Sequence, residues 1–204
     1  MKQPSAFLTP PRDESNRKPC ILFVTEISPY PLHGGIYIHI YNIIESLCRH
    51  FDVVVLAPPV ADDCPLHEQV VQWYALPTYT TDLAAKLANG RYILKPRPAW
   101  QAWLTSLLRK HQPQLVWFNY GHWGQYVPIV HRYGAAAVMR THNVQSEITR
   151  QRAAITPLGW LWGVTKLRAW FEMIHERYLF RHFDRVVSVT EFDRRYHAHF
   201  VGDE

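Results

Sequence analysis

Short apolar runs, each followed by a longer stretch of helical periodicity, recur along this 204-residue chain and constrain its fold more than any other feature. Residues 21–24, 53–56, 115–118, 135–139 and 186–189 are such runs, and 70–76 is a further one interrupted by Gln72 and Trp73. They are too short for helices and read as buried strands. Between them, Ile36, Ile40, Ile43, Ile44 and Leu47 recur at three- and four-residue steps and predict an amphipathic helix. Further helices are predicted over 100–108, over 127–133 with a stop at Gly134, over 158–183, and from Glu191 onward. In the long one Trp160, Val164, Leu167, Phe171, Ile174 and Tyr178 share a stripe, which predicts a face turned to the core. Strands apolar on both faces need cover on both faces, so the predicted fold is α/β, a doubly wound parallel sheet with helices on each side.

Ligands of such sheets sit beyond the carboxyl ends of the strands. That rule selects four loops, 26–35, 119–123, 141–147 and 190–193, which hold most of the unusual chemistry in the chain. Gly34 and Gly35 precede a predicted helix, where backbone N–H groups and the helix dipole attract anions. The same pair also suits a tight turn needing positive φ. Neither GxGxxG nor GxxxxGK occurs, which argues against a dinucleotide fingerprint and a P-loop. His142 closes a predicted strand, and Asn143 beside it suits a turn or helix cap. Tyr120, His122 and Trp123 put aromatic faces next to a polar group, a combination suited to sugar stacking. Glu191 and Asp193 lie where carboxylates either bind hydroxyls or cap a helix, and capping is the better reading.

Composition narrows the partners. The formal charge, 22 basic minus 17 acidic residues, is +5 and favours anionic partners. No nucleic-acid-binding motif accompanies it, so no nucleic acid is expected. Three cysteines without a CxxC pair argue against a disulfide framework and fit a reducing cytoplasm. Cys64 with His67, and His197 with His199, lack further ligands, so no metal is expected. Residues 1–18 are polar and proline-bearing and are expected to form a disordered tail. No window of about 18 apolar residues predicts a membrane span. Trp160 and Trp162, flanked by Arg150, Arg152, Lys166 and Arg168, would instead suit a peripheral contact with an anionic membrane.

Tyr30 lies in the segment Pro29-Tyr30-Pro31, which with His33-Gly34-Gly35 and its helix resembles the opening of family-4 glycosyltransferases of the GT-B fold. Thr141-His142-Asn143-Val144 after the mid-domain strand and Asp184-Arg185-Val186-Val187-Ser188-Val189-Thr190-Glu191 near the end match in order, so the resemblance spans residues 19–204. It implies a Rossmann-like N-terminal domain, the acceptor-side half of a retaining, hexosyltransferase-type enzyme. The complete enzyme would move a sugar from a nucleotide-sugar to a glycan or lipid-linked acceptor, in the cytoplasm or at the inner face of the membrane, without a cofactor. It also implies donor contacts at Gly34, Gly35 and His142, and more weakly at Asn143, Thr190 and Glu191. Tyr30, Tyr120, His122 and Trp123 would meet the acceptor. No catalytic base is assigned, because retention in that family is attributed to front-face attack assisted by the leaving phosphate. The donor-binding second domain of the family has no counterpart in these 204 residues, so this chain alone is expected to be inactive. It would be a fragment, or be completed by a separate chain. An edge built to face a second domain should also leave Tyr30, Tyr120 or Trp123 exposed. The alternative is a non-catalytic binding or regulatory module derived from such a domain.

Overall fold

The computed structural model describes residues 18–76, 98–119, 121–141, 145–156 and 159–201, side chains excepted at 99, 121, 122, 145 and 199–201. The expected tail lies outside the described residues as far as residue 17. Lys18, assigned to that tail, is instead held in place: its ammonium donates to the carbonyls of Cys48 at 3.1 Å and Arg49 at 2.9 Å. A cation at a helix C-terminus satisfies carbonyls that have no partner within the helix.

Strands β1 (Cys20–Val24), β2 (Asp52–Ala57), β3 (Gln72–Ala75), β4 (Leu115–Phe118), β5 (Ala136–Arg140) and β6 (Arg185–Val187) form one parallel sheet. Their order is β3-β2-β1-β4-β5-β6. The helices are α1 (Gly35–Cys48), α2 (Pro98–His111), α3 (Val127–Arg132), α4 (Gln145–Ile155), α5 (Trp160–Phe180) and α6 (Glu191–Val201). From β1 the chain builds outward through β2 to β3, then returns to β4 on the other side of β1 and builds the opposite way. The direction therefore reverses between β1 and β4.

Alternation along the strands divides the core in two. Leu22, Val24, Val54, Leu56, Val116, Phe118 and Met139 face α2, α3 and the end of α5, where Leu104, Leu108, Val127, Val130, Leu179 and Phe180 meet them. Phe23, Val53, Val55 and Ala57 face the other way, onto Ile40 and Ile44 of α1 and onto Leu66 and Val70. Ile40 and Ile44 are the centre of the predicted α1 stripe, with Ile36, Ile43 and Leu47 half-buried around them. Cover thins on this second face toward the β6 edge, where Val138 is half-buried and Val187 exposed.

Three elements differ from expectation. β3 is shorter than predicted because Pro65–Glu68 forms a 3-10 turn that spends Val70 on capping the core. β6 stops at Val187, and the Ser188 hydroxyl turns to Nδ1 of His197 at 3.1 Å. The third difference is α4, which begins inside the stretch read as a loop. It carries no apolar stripe; its buried residues are Ser146, Thr149 and Ala153, spaced like a helix face but small and polar. Ser146 and Thr149 meet Glu176 and Glu172 of α5. Glu176 accepts from the Ser146 N–H at 3.2 Å and from its hydroxyl, and Glu172 accepts from the Thr149 hydroxyl. The seam of this α4–α5 hairpin is therefore polar. As far as Ile174 the stripe predicted to face the core points outward, with Trp160 77% and Leu167 65% exposed, and only its last member, Tyr178, packs against the core.

Two outcomes test this packing. Gly124 lies against α5 so closely that a Cβ there would sit 2.5 Å from the Leu179 carbonyl oxygen. Gly124→Ala therefore destabilises the fold by about 1–3 kcal/mol, measurable by urea denaturation, since neither backbone can yield cheaply. Burial, with Lys110 adding to it, pushes His111 down to about 4, and burial pushes His197 down to about 4 against a weak opposing pull from Asp193. Both are stabilised as neutral imidazoles, so their contribution is complete above the ordinary value of 6.5 and is lost as pH falls from there toward 4. Melting temperature should fall across that window, and His111→Gln, which keeps a partner for Tyr74, should flatten the fall.

Candidate functional site

The reversal between β1 and β4 opens a crevice at the carboxyl edge, the place where open α/β sheets bind ligands. Two buried polar residues line its floor. Thr25 follows β1 and Asn119 follows β4, both fully buried, and the Asn119 amide donates to the Thr25 hydroxyl at 3.2 Å. The Asn119 N–H continues the ladder to the Val24 carbonyl at 2.9 Å, and the Thr25 N–H donates to Leu56 at 2.9 Å. The strand ends are thus pinned to one another before the loops diverge.

The loop after β1 leads into α1. The Thr25 hydroxyl accepts from the Ile27 N–H at 3.2 Å and the Ser28 hydroxyl donates to the Tyr30 carbonyl at 2.6 Å, so the loop is shaped by its own hydroxyls. The Tyr30–Pro31 bond is cis. Gly34 is the residue before α1, with φ −176°, an extended conformation open to any residue. The positive-φ explanation for these glycines therefore fails; among the described glycines, Gly134 at φ 75° and Gly159 at φ 158° are where the chain does use one. A Cβ on Gly34 would only touch the Tyr37 ring at 3.7 Å, and one on Gly35 would meet nothing within 4 Å. α1 has no side-chain cap and no acidic residue in its first turn. Its N-terminus opens onto unfilled space at the edge of the sheet, and the partial positive charge there is neutralised by no carboxylate of that turn.

Arg140 adds a full charge to the same region. It ends β5 and is only 5% exposed, and after burial itself its charge is what holds His39 of α1 below the usual histidine range. Thr141, also buried, continues the ladder by donating its N–H to Val187 at 3.0 Å. The helix dipole and the guanidinium together make an anion-attracting edge. Arg140 was the clearest residue missed from sequence: a lone charge terminating an otherwise apolar strand on the ligand side is a readable signal.

The other candidates fare differently. Tyr120, His142 and Asn143 lie outside the described residues, as does the side chain of His122, whose backbone is in the 3-10 turn Gly121–Tyr126. Trp123 is a correction. It is 3% exposed, with ring centroids 5.1 Å from Trp100 and 5.4 Å from Tyr126, so it fills the core and offers no face to an acceptor. Tyr30 is half-buried against the α1-side core, and its hydroxyl reaches Asp63 at 3.4 Å, whose charge raises its pKa. The expected exposed aromatic edge is thus absent at Trp123 and only partial at Tyr30. Thr190 and Asp193 form a reciprocal cap on α6: the Thr190 hydroxyl accepts from the Asp193 N–H at 3.1 Å and donates to its carboxylate at 2.8 Å. Glu191 pairs with Arg194 and Arg195, whose hydrogen bonds pull it down to about 2. Both act as helix-terminus residues. Among the described residues no three His, Cys, Asp or Glu side chains gather to hold a metal. A cleft of about 330 Å³ lies between α2, α3 and α5, lined by Gln101, Arg132, Tyr178 and His182, and the edge loops contribute nothing to it.

Comparison with known proteins agrees with this architecture. A family model described as a glycosyl transferase 4-like domain matches residues 34–204. Sucrose-phosphate synthase from Thermosynechococcus elongatus superposes with a TM-score of 0.59 at 13% identity, covering 90% of this chain and 45% of that one. UGT73P12 from Glycyrrhiza uralensis, solved with glycyrrhetinic acid 3-O-monoglucuronide, superposes with a TM-score of 0.55 at 12% identity, covering 92% of this chain and 48% of that one. At those identities the likeness is one of fold, and the chain spans about half the length of either structure. A search of curated proteins found no match.

The cap on α6 yields a direct test. Thr190→Ala removes both hydrogen bonds of the reciprocal pair and should cost about 1 kcal/mol of stability in chemical denaturation. Thr190→Ser should recover most of it.

Proposed function

The chain belongs to the glycosyl transferase 4-like domain family, and we propose that it is the acceptor-side half of a GT-B glycosyltransferase. In this reading the complete enzyme moves a sugar from a nucleotide-sugar donor to a glycan or lipid-linked acceptor with retention of configuration. The observation that carries it is the uncapped N-terminus of α1 at Gly35, open to a ligand, on the same edge as the buried charge of Arg140. A diphosphate is the natural occupant of such an edge. It gains negative charge as the sugar departs, and fixed donors aimed at developing charge lower the barrier more than they stabilise the ground state. Gly34, Gly35 and His142 are the donor-side contacts of this proposal, and Arg140 joins them. Tyr30, Tyr120 and His122 are its acceptor-side contacts, and Trp123, buried in the core, is not among them.

A second domain, in the same polypeptide or in a separate one, supplies the rest of the donor site. A peripheral contact with the inner face of a membrane belongs to the same reading, since a lipid-linked acceptor is presented there. No protein base is needed if the leaving phosphate accepts the proton of the attacking hydroxyl.

The 204 residues alone should release no nucleoside diphosphate from a panel of nucleotide-sugars; robust release would overturn the half-site reading. With the second domain present, Gly35→Val should lower kcat/KM by about 100-fold, because the side chain blocks a ligand's approach to the retained N–H and so forfeits about as much as losing one preorganised oxyanion donor. Its melting temperature should change little, because the added side chain enters open space. Unchanged transfer by that variant would remove the α1 terminus from the mechanism.

A further inference from the structure

The α4–α5 hairpin is built inside out relative to an ordinary surface helix. On α5 the residues turned inward include Glu172 and Glu176, while Trp160, Val164, Leu167, Phe171 and Ile174 are each between 42% and 77% exposed. From Trp160 to Ile174 this stripe runs about 21 Å along the helix, at a rise of about 1.5 Å per residue. Leu161 and Trp170 widen it, and Ile155 at the end of α4 is exposed beside the hairpin tip. A continuous apolar face of this kind on a helix carries a meaning that scattered surface leucines do not.

Charge is sorted in the same inverted sense. The hairpin has only three acidic residues between 145 and 181, Glu147, Glu172 and Glu176. The side chains of Glu147 and Glu172 are 16% and 19% exposed, and Glu176 is buried. The basic residues point outward: Arg150, Arg152, Lys166, Arg168, Arg177 and Arg181 are all exposed. At about 100° per residue around α5, Arg168 lies along one border of the stripe and Arg177 and Arg181 along the other. The Lys166 ammonium sits over the Trp162 ring at 4.1 Å and the Arg181 guanidinium over the Tyr178 ring at 4.5 Å.

We propose that this outward face is a docking surface for an anionic lipid bilayer, with α5 lying lengthwise in the headgroup region, its stripe among the acyl chains and its cations against lipid phosphates. No described helix is long and apolar enough to cross a membrane, and the polar seam keeps one side of α5 in the protein, so the hairpin lies on the bilayer. Tryptophan suits that depth, having an apolar body and one N–H for the wet side. A second copy of the chain fits poorly. Stripe-to-stripe pairing would bring basic borders together, with every acid of the hairpin already engaged within it: Glu147 by Arg150, Glu172 by Arg168 and Thr149, and Glu176 by Ser146. A bilayer with anionic headgroups answers both features at once. The inference rests on the proposed function only for its purpose, bringing the site to a lipid-linked acceptor. Vesicle binding is read without donor or acceptor, so its failure and a failure of sugar transfer are separate results.

The 204-residue chain is sedimented with vesicles of phosphatidylcholine alone and of phosphatidylcholine mixed with phosphatidylglycerol. It should partition onto the mixed vesicles at least about tenfold more strongly, less so as salt rises, with tryptophan emission shifting to the blue. Leu167→Ser with Phe171→Ser should weaken that partition by about tenfold or more while leaving the melting temperature close to the parent's, since both side chains are exposed. Lys166→Glu with Arg181→Glu should reduce binding to the mixed vesicles and provides a second readout if the first variant misfolds. Phe192→Ser, an exposed apolar change on α6, should bind like the parent. A folded chain that stays in solution with both vesicles overturns the proposal, as does equal binding to both compositions. So does a concentration-dependent dimer abolished by the serine pair, which would assign the stripe to a second copy.

Discussion

The parallel ladder β2–β1–β4 is the constraint on which the rest of the structure depends. β1 is buried on both faces and bonded on both edges, so its neighbours and their register are settled with it: Ile21 opposite Val53 on one side and Leu115 on the other. Once those strands are fixed, the helices between them have nowhere to go but above and below. The carboxyl ends then converge where Asn119 reaches Thr25. That buried hydrogen bond satisfies two polar groups that would otherwise be costly inside the core, and it holds the crevice floor rigid while the loops on either side diverge.

Positive potential at this edge has two sources of different range. The α1 terminus offers partial charge on oriented N–H groups, effective over the first turn, whereas Arg140 offers a full charge held in place by burial. Each reinforces the other, because low exposure reduces the screening that water would impose. The open space at Gly35 is what makes the arrangement usable: a side chain there would cost the fold nothing but would occupy the approach. Net charge of the whole chain matters less for such a site than this local placement.

The hairpin shows a different balance. Buried carboxylates usually weigh against a fold unless hydrogen bonds satisfy them. Glu176 meets the N-terminus of α4, receiving the Ser146 N–H and hydroxyl, and Tyr196 of α6 bonds that same hydroxyl at 2.8 Å. The Ser146 hydroxyl thus joins three helices. With α4 bound through this polar seam, the apolar side of α5 has no place left in the core, and the exposed stripe follows from the seam.

Most of the sheet was readable from sequence, because strands apolar on both faces are a local signature of burial. The α1 stripe through Ile40 and Ile44 and the stop at Gly134 were readable for the same reason: residue type and spacing report local conformation. Capping at Asp193 was legible too, being local to the first turn, whereas the part of Thr190 in that cap emerged only in the structure. What spacing does not carry is direction. The stripe from Trp160 to Ile174 marks one side of a helix, and only packing against Ser146 and Thr149 decided that this side faces out. Trp123 looked like a ligand face and is core, since its neighbours Trp100 and Tyr126 come from elements whose approach no local pattern specifies. Arg140 gained its role only when β5 was laid beside the strands that end at α1. Local sequence sets which conformation a segment prefers and which of its faces is apolar; tertiary structure decides what that face meets, because burial and electrostatic coupling are made between residues far apart in the chain.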